Sequence, residues 1–170
     1  MKTLIAILIL CCCLAACAKA PPENVATSGS EGAGVKSVDV VQARPEEVTL
    51  AAGESGEATV KLQIRSGYHV NANPPSFPYL KATELDITPA EGIAVEFMRY
   101  PDPLTKKFSF SEQPLAVYEG ETIVKARLKA DKTAKSGKHN LSAKLRVQAC
   151  DDHVCYAPGT LDVTVPVTIK

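Results

Sequence analysis

The sequence has no tryptophan and few other aromatic residues, with five tyrosines and four phenylalanines. A large aromatic-lined ligand pocket is therefore not favoured. There is no excess of either charge, since 19 basic residues balance 19 acidic ones. Nor is there a basic stripe, which argues against nucleic acid as a partner. No convincing amphipathic helix is present, so a helical bundle is excluded. No Ser-His-Asp arrangement, phosphate loop or carboxylate pair within a supporting motif is visible. Available cysteine is scarce as well. Of six cysteines, Cys11, Cys12, Cys13 and Cys17 all fall in the first 17 residues. Only Cys150 and Cys155 lie in the part of the chain that can fold.

The N-terminus begins Met1-Lys2 and continues with an apolar run, Leu4 to Leu14, too short to span a bilayer comfortably. It ends Leu14-Ala15-Ala16-Cys17, which resembles a bacterial lipoprotein signal. That resemblance implies a signal peptide over 1–16, cleavage before Cys17, and a lipid on the Cys17 thiol. An ordinary secretory leader or an uncleaved anchor are the alternatives. Either export route leaves Cys150 and Cys155 in an oxidising compartment. Residues 17–35 are rich in Ala, Pro, Gly, Ser and Glu. They cannot bury enough apolar surface to order themselves and are predicted to be a tether. About 20 such residues reach roughly 25 Å on average and roughly 70 Å at full extension.

From residue 36 to 170 the apolar period becomes two. Ala58, Val60, Leu62 and Ile64 alternate with polar residues, as do Val124, Ala126 and Leu128. The same holds for Leu141 to Ala149 and for Leu161 to Ile169, the latter interrupted by Pro166. Weaker strands are predicted near 38–43, 48–50, 83–88, 93–100 and 115–118. Many short alternating strands with turn residues between them indicate an all-β antiparallel sandwich of two sheets. Two stretches, Asn71–Tyr79 and Tyr100–Phe110, are predicted to be long loops.

The stretch that organises the domain is Gln148-Ala149-Cys150-Asp151-Asp152-His153-Val154-Cys155-Tyr156-Ala157-Pro158, a bend between two predicted strands. Odd positions of Leu141–Ala149 face the core, so Cys150 is predicted on the outer face if the pleat persists. A bridge needs Cα atoms about 4.4–6.8 Å apart. Closing a loop of about six residues would stabilise the fold by only roughly 2 kcal/mol. That modest benefit favours exchange chemistry over a permanent staple. Asp151 and Asp152 would raise a nearby thiol pKa, and a protonated His153 would lower it. Two alternatives use the same atoms. One is a non-catalytic envelope binding or structural sandwich with a staple disulfide. The other is a copper- or zinc-binding lipoprotein using Cys150, His153 and Cys155, with His69 from a loop. Otherwise His69 and His139 are expected to be ordinary surface or loop residues.

Several blocks together resemble a known family. They are Tyr68-His69-Val70-Asn71-Ala72-Asn73-Pro74-Pro75, Tyr100-Pro101, Val117-Tyr118-Glu119-Gly120-Glu121, and Gln148 to Cys155 with Tyr156-Ala157-Pro158. They are similar to the N-terminal periplasmic domain of the thiol:disulfide interchange protein DsbD. The resemblance covers residues 36–170 and implies an immunoglobulin-like fold without a cofactor or metal. It implies a thiol-disulfide oxidoreductase that relays electrons through Cys150 and Cys155. The donor would be a thioredoxin-like or membrane-embedded protein. The acceptor would be a periplasmic disulfide isomerase or a cytochrome c maturation protein. Cys155 would form the mixed disulfide and Cys150 would resolve it. A cap loop, here Leu104–Phe110, would cover the pair, with Phe108 or Phe110 as the shielding ring. The family's membrane-spanning part and thioredoxin-like domain do not fall within these residues and are expected as separate proteins. The lipid would then keep this domain near a membrane and raise the local concentration. Ala18 after the lipidated cysteine favours the outer membrane.

Overall fold

The computed structural model describes residues 34–170. The predicted signal peptide, Cys17 and most of the predicted tether lie outside the described residues. Twelve strands follow a short 3-10 turn at Ser37–Val40. They are β1 (Val41–Pro45), β2 (Val48–Leu50), β3 (Ser55–Ile64), β4 (His69–Asn71), β5 (Glu84–Ile87) and β6 (Ile93–Arg99). Then come β7 (Leu104–Lys106), β8 (Leu115–Tyr118), β9 (Glu121–Ala130), β10 (Gly137–Val147), β11 (Ala149–Cys150) and β12 (Gly159–Ile169). Among the described residues no helix is long and apolar enough to cross a membrane.

Two four-stranded sheets, β1-β3-β9-β6 and β2-β12-β10-β5, build the body of an immunoglobulin-like β-sandwich. The alternation read from the sequence is the reason they pack. Ala58, Val60, Leu62 and Ile64 of β3 are buried, as are Val124, Ala126, Leu128 and Ala130 of β9. Leu141, Ala143, Leu145 and Val147 of β10 meet them from the other sheet, with Val163, Val165, Val167 and Ile169 of β12. Burying each such aliphatic side chain contributes about 1.5–3 kcal/mol, which makes these four strands the framework. Pairing is antiparallel except for β2 on β12, a short parallel contact over Val167–Ile169. Pro166 falls just before that contact, where no second neighbour needs its missing N–H.

The third sheet, β11-β4-β8-β7, differs from the sequence expectation. It is built from strands of two to four residues, too short to show a period. Both predicted loops contribute to it: β4 overlaps the start of the first, and β7 lies within the second. This small sheet carries the cysteines.

Candidate functional site

Strand β10 ends at Val147 rather than continuing through Ala149. At Gln148 the chain steps from the large sheet to the small one. The Gln148 side chain holds the step: its Oε1 accepts from Asn71 Nδ2 at 3.0 Å and from the Lys81 amide at 2.8 Å. Its carbonyl accepts from the Asn71 amide at 3.1 Å. Ser37 Oγ adds a second clamp, accepting from the Ala149 amide at 2.9 Å and donating to the Ala157 carbonyl at 2.7 Å. The step breaks the pleat, so consecutive residues Ala149 and Cys150 are both buried. Cys150 is 0% exposed, not outward-facing as parity predicted.

Cys150 and Cys155 form a disulfide. Their Cα atoms are 3.9 Å apart, closer than the window expected from typical bridges. The backbone explains the approach. The Tyr156 amide donates to the Ala149 carbonyl at 2.8 Å and the Asp151 amide to the Val154 carbonyl at 3.0 Å. Those bonds flank the cysteines and make them a non-hydrogen-bonded antiparallel pair, the arrangement that brings Cα atoms nearest. Cys155 keeps partial exposure while Cys150 has none.

The turn between the cysteines is shaped by Asp151. Its Oδ1 accepts from the amides of His153 at 2.7 Å and Val154 at 2.9 Å. Its Oδ2 accepts from the Tyr156 hydroxyl at 2.5 Å. These donors, the tyrosine first, hold the carboxyl below the usual carboxylate range. The same bond pushes Tyr156 up to about 12. Asp152 is exposed; its carbonyl accepts from Ser109 Oγ at 2.7 Å, and its carboxylate lies 3.8 Å from Lys106 Nζ. His153 is exposed at the tip.

The two predicted rings have separate places. Phe108 is buried, packed with Leu80, Leu115 and Val117 in a second apolar cluster. Phe110 lies 5.2 Å from it, centroid to centroid, and is 39% exposed. Phe110 lines a cleft of about 600 Å³ together with Cys155, Gln148, Leu115 and the stacked rings of Phe77 and Tyr79.

Both histidines expected on the surface are buried. His139 sits on β10 and pairs with Glu91, which with the Lys135 carbonyl raises its pKa. His69 sits on β4 as the register partner of Cys150. Its Nε2 lies 2.8 Å from Glu119 Oε2 and 2.6 Å from Lys106 Nζ, and its ring meets Phe108 edge-on at 5.3 Å. Sequence reading missed this cluster because three polar residues far apart in the chain carry no local pattern. The one signal was that His69 stands inside a block shared with the resembled family. Among the described residues no group of three or more His, Cys, Asp or Glu is placed to hold a metal ion. With both sulfurs joined, the predicted Cys150-His153-Cys155 set has no thiolate to offer a metal.

No curated protein sequence matches the chain. Solved structures do. The N-terminal periplasmic domain of ScsB from Proteus mirabilis is 18% identical, with a TM-score of 0.53, over 76% of this chain and 47% of that one. The reduced DsbD N-terminal domain of Neisseria meningitidis is 19% identical, with a TM-score of 0.45, over 69% and 82%. The same Neisseria domain in complex with the PilB N-terminal domain is 19% identical, with a TM-score of 0.45, over 72% and 80%. The family model for the N-terminal region of the thiol:disulfide interchange protein DsbD matches residues 37–166, which span both cysteines, the small sheet and the framework strands up to Pro166 of β12. The chain therefore belongs to the DsbD N-terminal domain family.

Proposed function

We propose that this domain relays electrons by thiol–disulfide interchange at Cys150 and Cys155. The observation that carries the reading is the unequal burial of the two sulfurs' residues. Cys155 borders an open cleft, while Cys150 is sealed behind it. An incoming thiolate can reach only the Cys155 side of the bond. It attacks Cys155 Sγ, the Cys150–Cys155 bond breaks, and Cys150 leaves with the electron pair. A second donor thiolate then attacks the donor's own sulfur in the mixed disulfide and frees Cys155. The donor is oxidised by two electrons and this domain is reduced by two. Passing the pair to an acceptor disulfide runs the same steps in reverse, with Cys155 attacking and Cys150 resolving.

The cap lies over this site. Ser109 and Lys106 tie the Leu104–Phe110 segment to the cysteine turn, and of the two candidate rings it is Phe110, which lines the cleft with Cys155, that would shield the pair from wrong partners. In this reading the domain faces the periplasm, held by the lipid on Cys17 to a membrane that Ala18 favours as the outer one. A thioredoxin-like or membrane-embedded donor reduces it. A periplasmic disulfide isomerase or cytochrome c maturation protein accepts the electrons. Family membership and the bonded pair support the exchange chemistry; the identity of donor and acceptor follows from the resemblance alone.

The deciding experiment is the reduction potential of the pair, by equilibration with dithiothreitol or glutathione buffers. A value of roughly −180 to −270 mV is expected of an exchange protein. Cys150→Ser should then trap a partner on Cys155. A value below roughly −300 mV with slow reduction would make the bond a staple and overturn the relay.

A further inference from the structure

His69 and Cys150 face each other across β4 and β11. Register partners project to the same face, with Cβ atoms about 4.5–5.5 Å apart. His69 is 3% exposed and Cys150 0%, so no bulk water separates them. One ring nitrogen is committed: Nε2 lies 2.8 Å from the Glu119 carboxylate, beside Lys106 Nζ at 2.6 Å. The other, Nδ1, is buried without a hydrogen-bond partner. A buried polar atom left unpaired is costly and calls for a use in another state of the molecule. In the disulfide Cys150 carries no proton. Reduction places an S–H there, out of reach of solvent.

We propose that His69 Nδ1 is the proton acceptor for the Cys150 thiol, which makes His69 a catalytic base in the exchange. This rests on the exchange reading of the cysteine pair. The tautomer required is the one in which Nε2–H donates to Glu119 and Nδ1 carries the lone pair; Lys106, which can only donate, is held beside Nε2 by the Glu119 and Asp152 carboxylates at 3.9 and 3.8 Å. Consider the mixed disulfide between Cys155 and a partner protein that entered as a disulfide. The Cys150 proton passes to His69 Nδ1. The Cys150 thiolate attacks Cys155 Sγ, the intramolecular bond forms, and the bond from Cys155 to the partner breaks. The electron pair leaves on the partner's sulfur, which takes a proton from water, and His69 returns its own proton to water. Two thiols of this chain are oxidised and one partner disulfide is reduced. The charged groups around the imidazole are Glu119 from the β8–β9 turn and Lys106 from β7. Asp152 of the cysteine turn acts on it through Lys106.

The probe is 5,5′-dithiobis(2-nitrobenzoate) with the reduced chain carrying Cys11→Ser, Cys12→Ser, Cys13→Ser and Cys17→Ser, so that only Cys150 and Cys155 react; it releases one thionitrobenzoate on forming the mixed disulfide and a second on resolution. An unassisted thiol of pKa about 8.5 is only about 3% ionised at pH 7. Hence His69→Gln should slow the second release by about 10- to 30-fold at pH 7 and leave it rising with pH up to about 8.5. The same chain with His69 in place should level off at lower pH. An unchanged second phase and pH profile in His69→Gln would overturn the assignment. A chain with His69 in place that never gives a second release would overturn it together with the exchange reading. The wild type also gives a test that needs no variant. In ring-nitrogen NMR at pH 7, the His69 Nδ1 chemical shift should differ between the oxidised and reduced chain, because only the reduced chain offers it a Cys150 thiol, while the His139 signals stay in place. Equal His69 Nδ1 shifts in the two states would overturn the assignment even if His69→Gln fails to fold.

Discussion

The Tyr156 hydroxyl donates to Asp151 Oδ2 at 2.5 Å, joining the two residues that immediately follow the cysteines. The bond depresses the carboxyl and raises the phenol, and the signs set two pH windows. For Asp151 the folded value is the lower, so its stabilisation is complete above the unfolded value of about 3.9 and is lost as pH falls through the folded one. For Tyr156 the folded value is the higher, so its share is complete below about 10 and is lost as pH rises through about 12. Tyr156→Phe should raise the Asp151 midpoint in a carboxyl NMR titration, because the strongest of its three donors is gone. An unmoved Asp151 midpoint would mean the backbone amides of His153 and Val154 alone set it.

Phe108 and Phe110 stand two positions apart in sequence and have opposite expected phenotypes. Phe108 is 2% exposed, so Phe108→Ala leaves a cavity and should cost about 3–5 kcal/mol in a denaturation midpoint. Phe110 is 39% exposed and borders the cleft with Cys155. Phe110→Ala should change stability by less than about 1 kcal/mol. It should also speed reduction of the disulfide by dithiothreitol several-fold. Equal reduction rates in wild type and Phe110→Ala would remove that ring from the shielding role.

The framework was legible because its strands are long enough to repeat. Leu141 to Val147 alternate in the sequence and in the structure for one reason: one face meets β3 and β9 in the core. The site was legible only as a pair of thiols at a bend. Its orientation was not, because parity holds only while a strand stays in one sheet. Gln148 and Asn71, 77 residues apart, decide where β10 stops, and that contact is tertiary. His69 escaped for the same reason, since Glu119 is 50 positions away.

Reducing the bond should lower stability modestly. A sequence separation of five closes a small loop, for which chain entropy gives about 2 kcal/mol. Denaturation with and without reductant measures it. A loss of about 2 kcal/mol or less fits a domain that must persist in both redox states. Collapse of the fold on reduction would show that the bond is structural.

His139 and Glu91 supply a pH-dependent contact outside the cysteine stretch. Glu91 occupies a left-handed position, φ 56°, in the turn between Ala90 and Ile93, and its carboxylate reaches His139 on β10. Because the folded pKa of His139 is raised, its stabilisation is complete below the unfolded value of about 6.5 and is lost as pH rises through the folded one. Glu91→Gln should therefore lower Tm more at pH 5 than at pH 9. A uniform loss at both would mean the turn, not the charge, was disturbed.

Gly159 opens β12 immediately after the cysteine stretch, and a Cβ there would stand 2.6 Å from Val38 Cγ1 and 3.7 Å from Val38 Cβ and N. The obstacle is a β-branched side chain on the 3-10 turn, with little freedom to swing away. That turn is itself fixed by Ser37, which bonds to Ala149 and Ala157 on both sides of the disulfide. Gly159→Ala should thus overpack the junction and cost about 1–3 kcal/mol. Val38→Ala in the same chain should restore part of that loss, because it removes the clashing methyl. A double-mutant cycle by denaturation is the measurement, with a coupling of about 0.5–3 kcal/mol expected for residues in contact. Additive effects would mean that Gly159 is required for its backbone and not for the space beside Val38. If the coupling is present, the double variant should also keep wild-type reduction kinetics, since the Ser37 clamp behind Cys150 would be undisturbed.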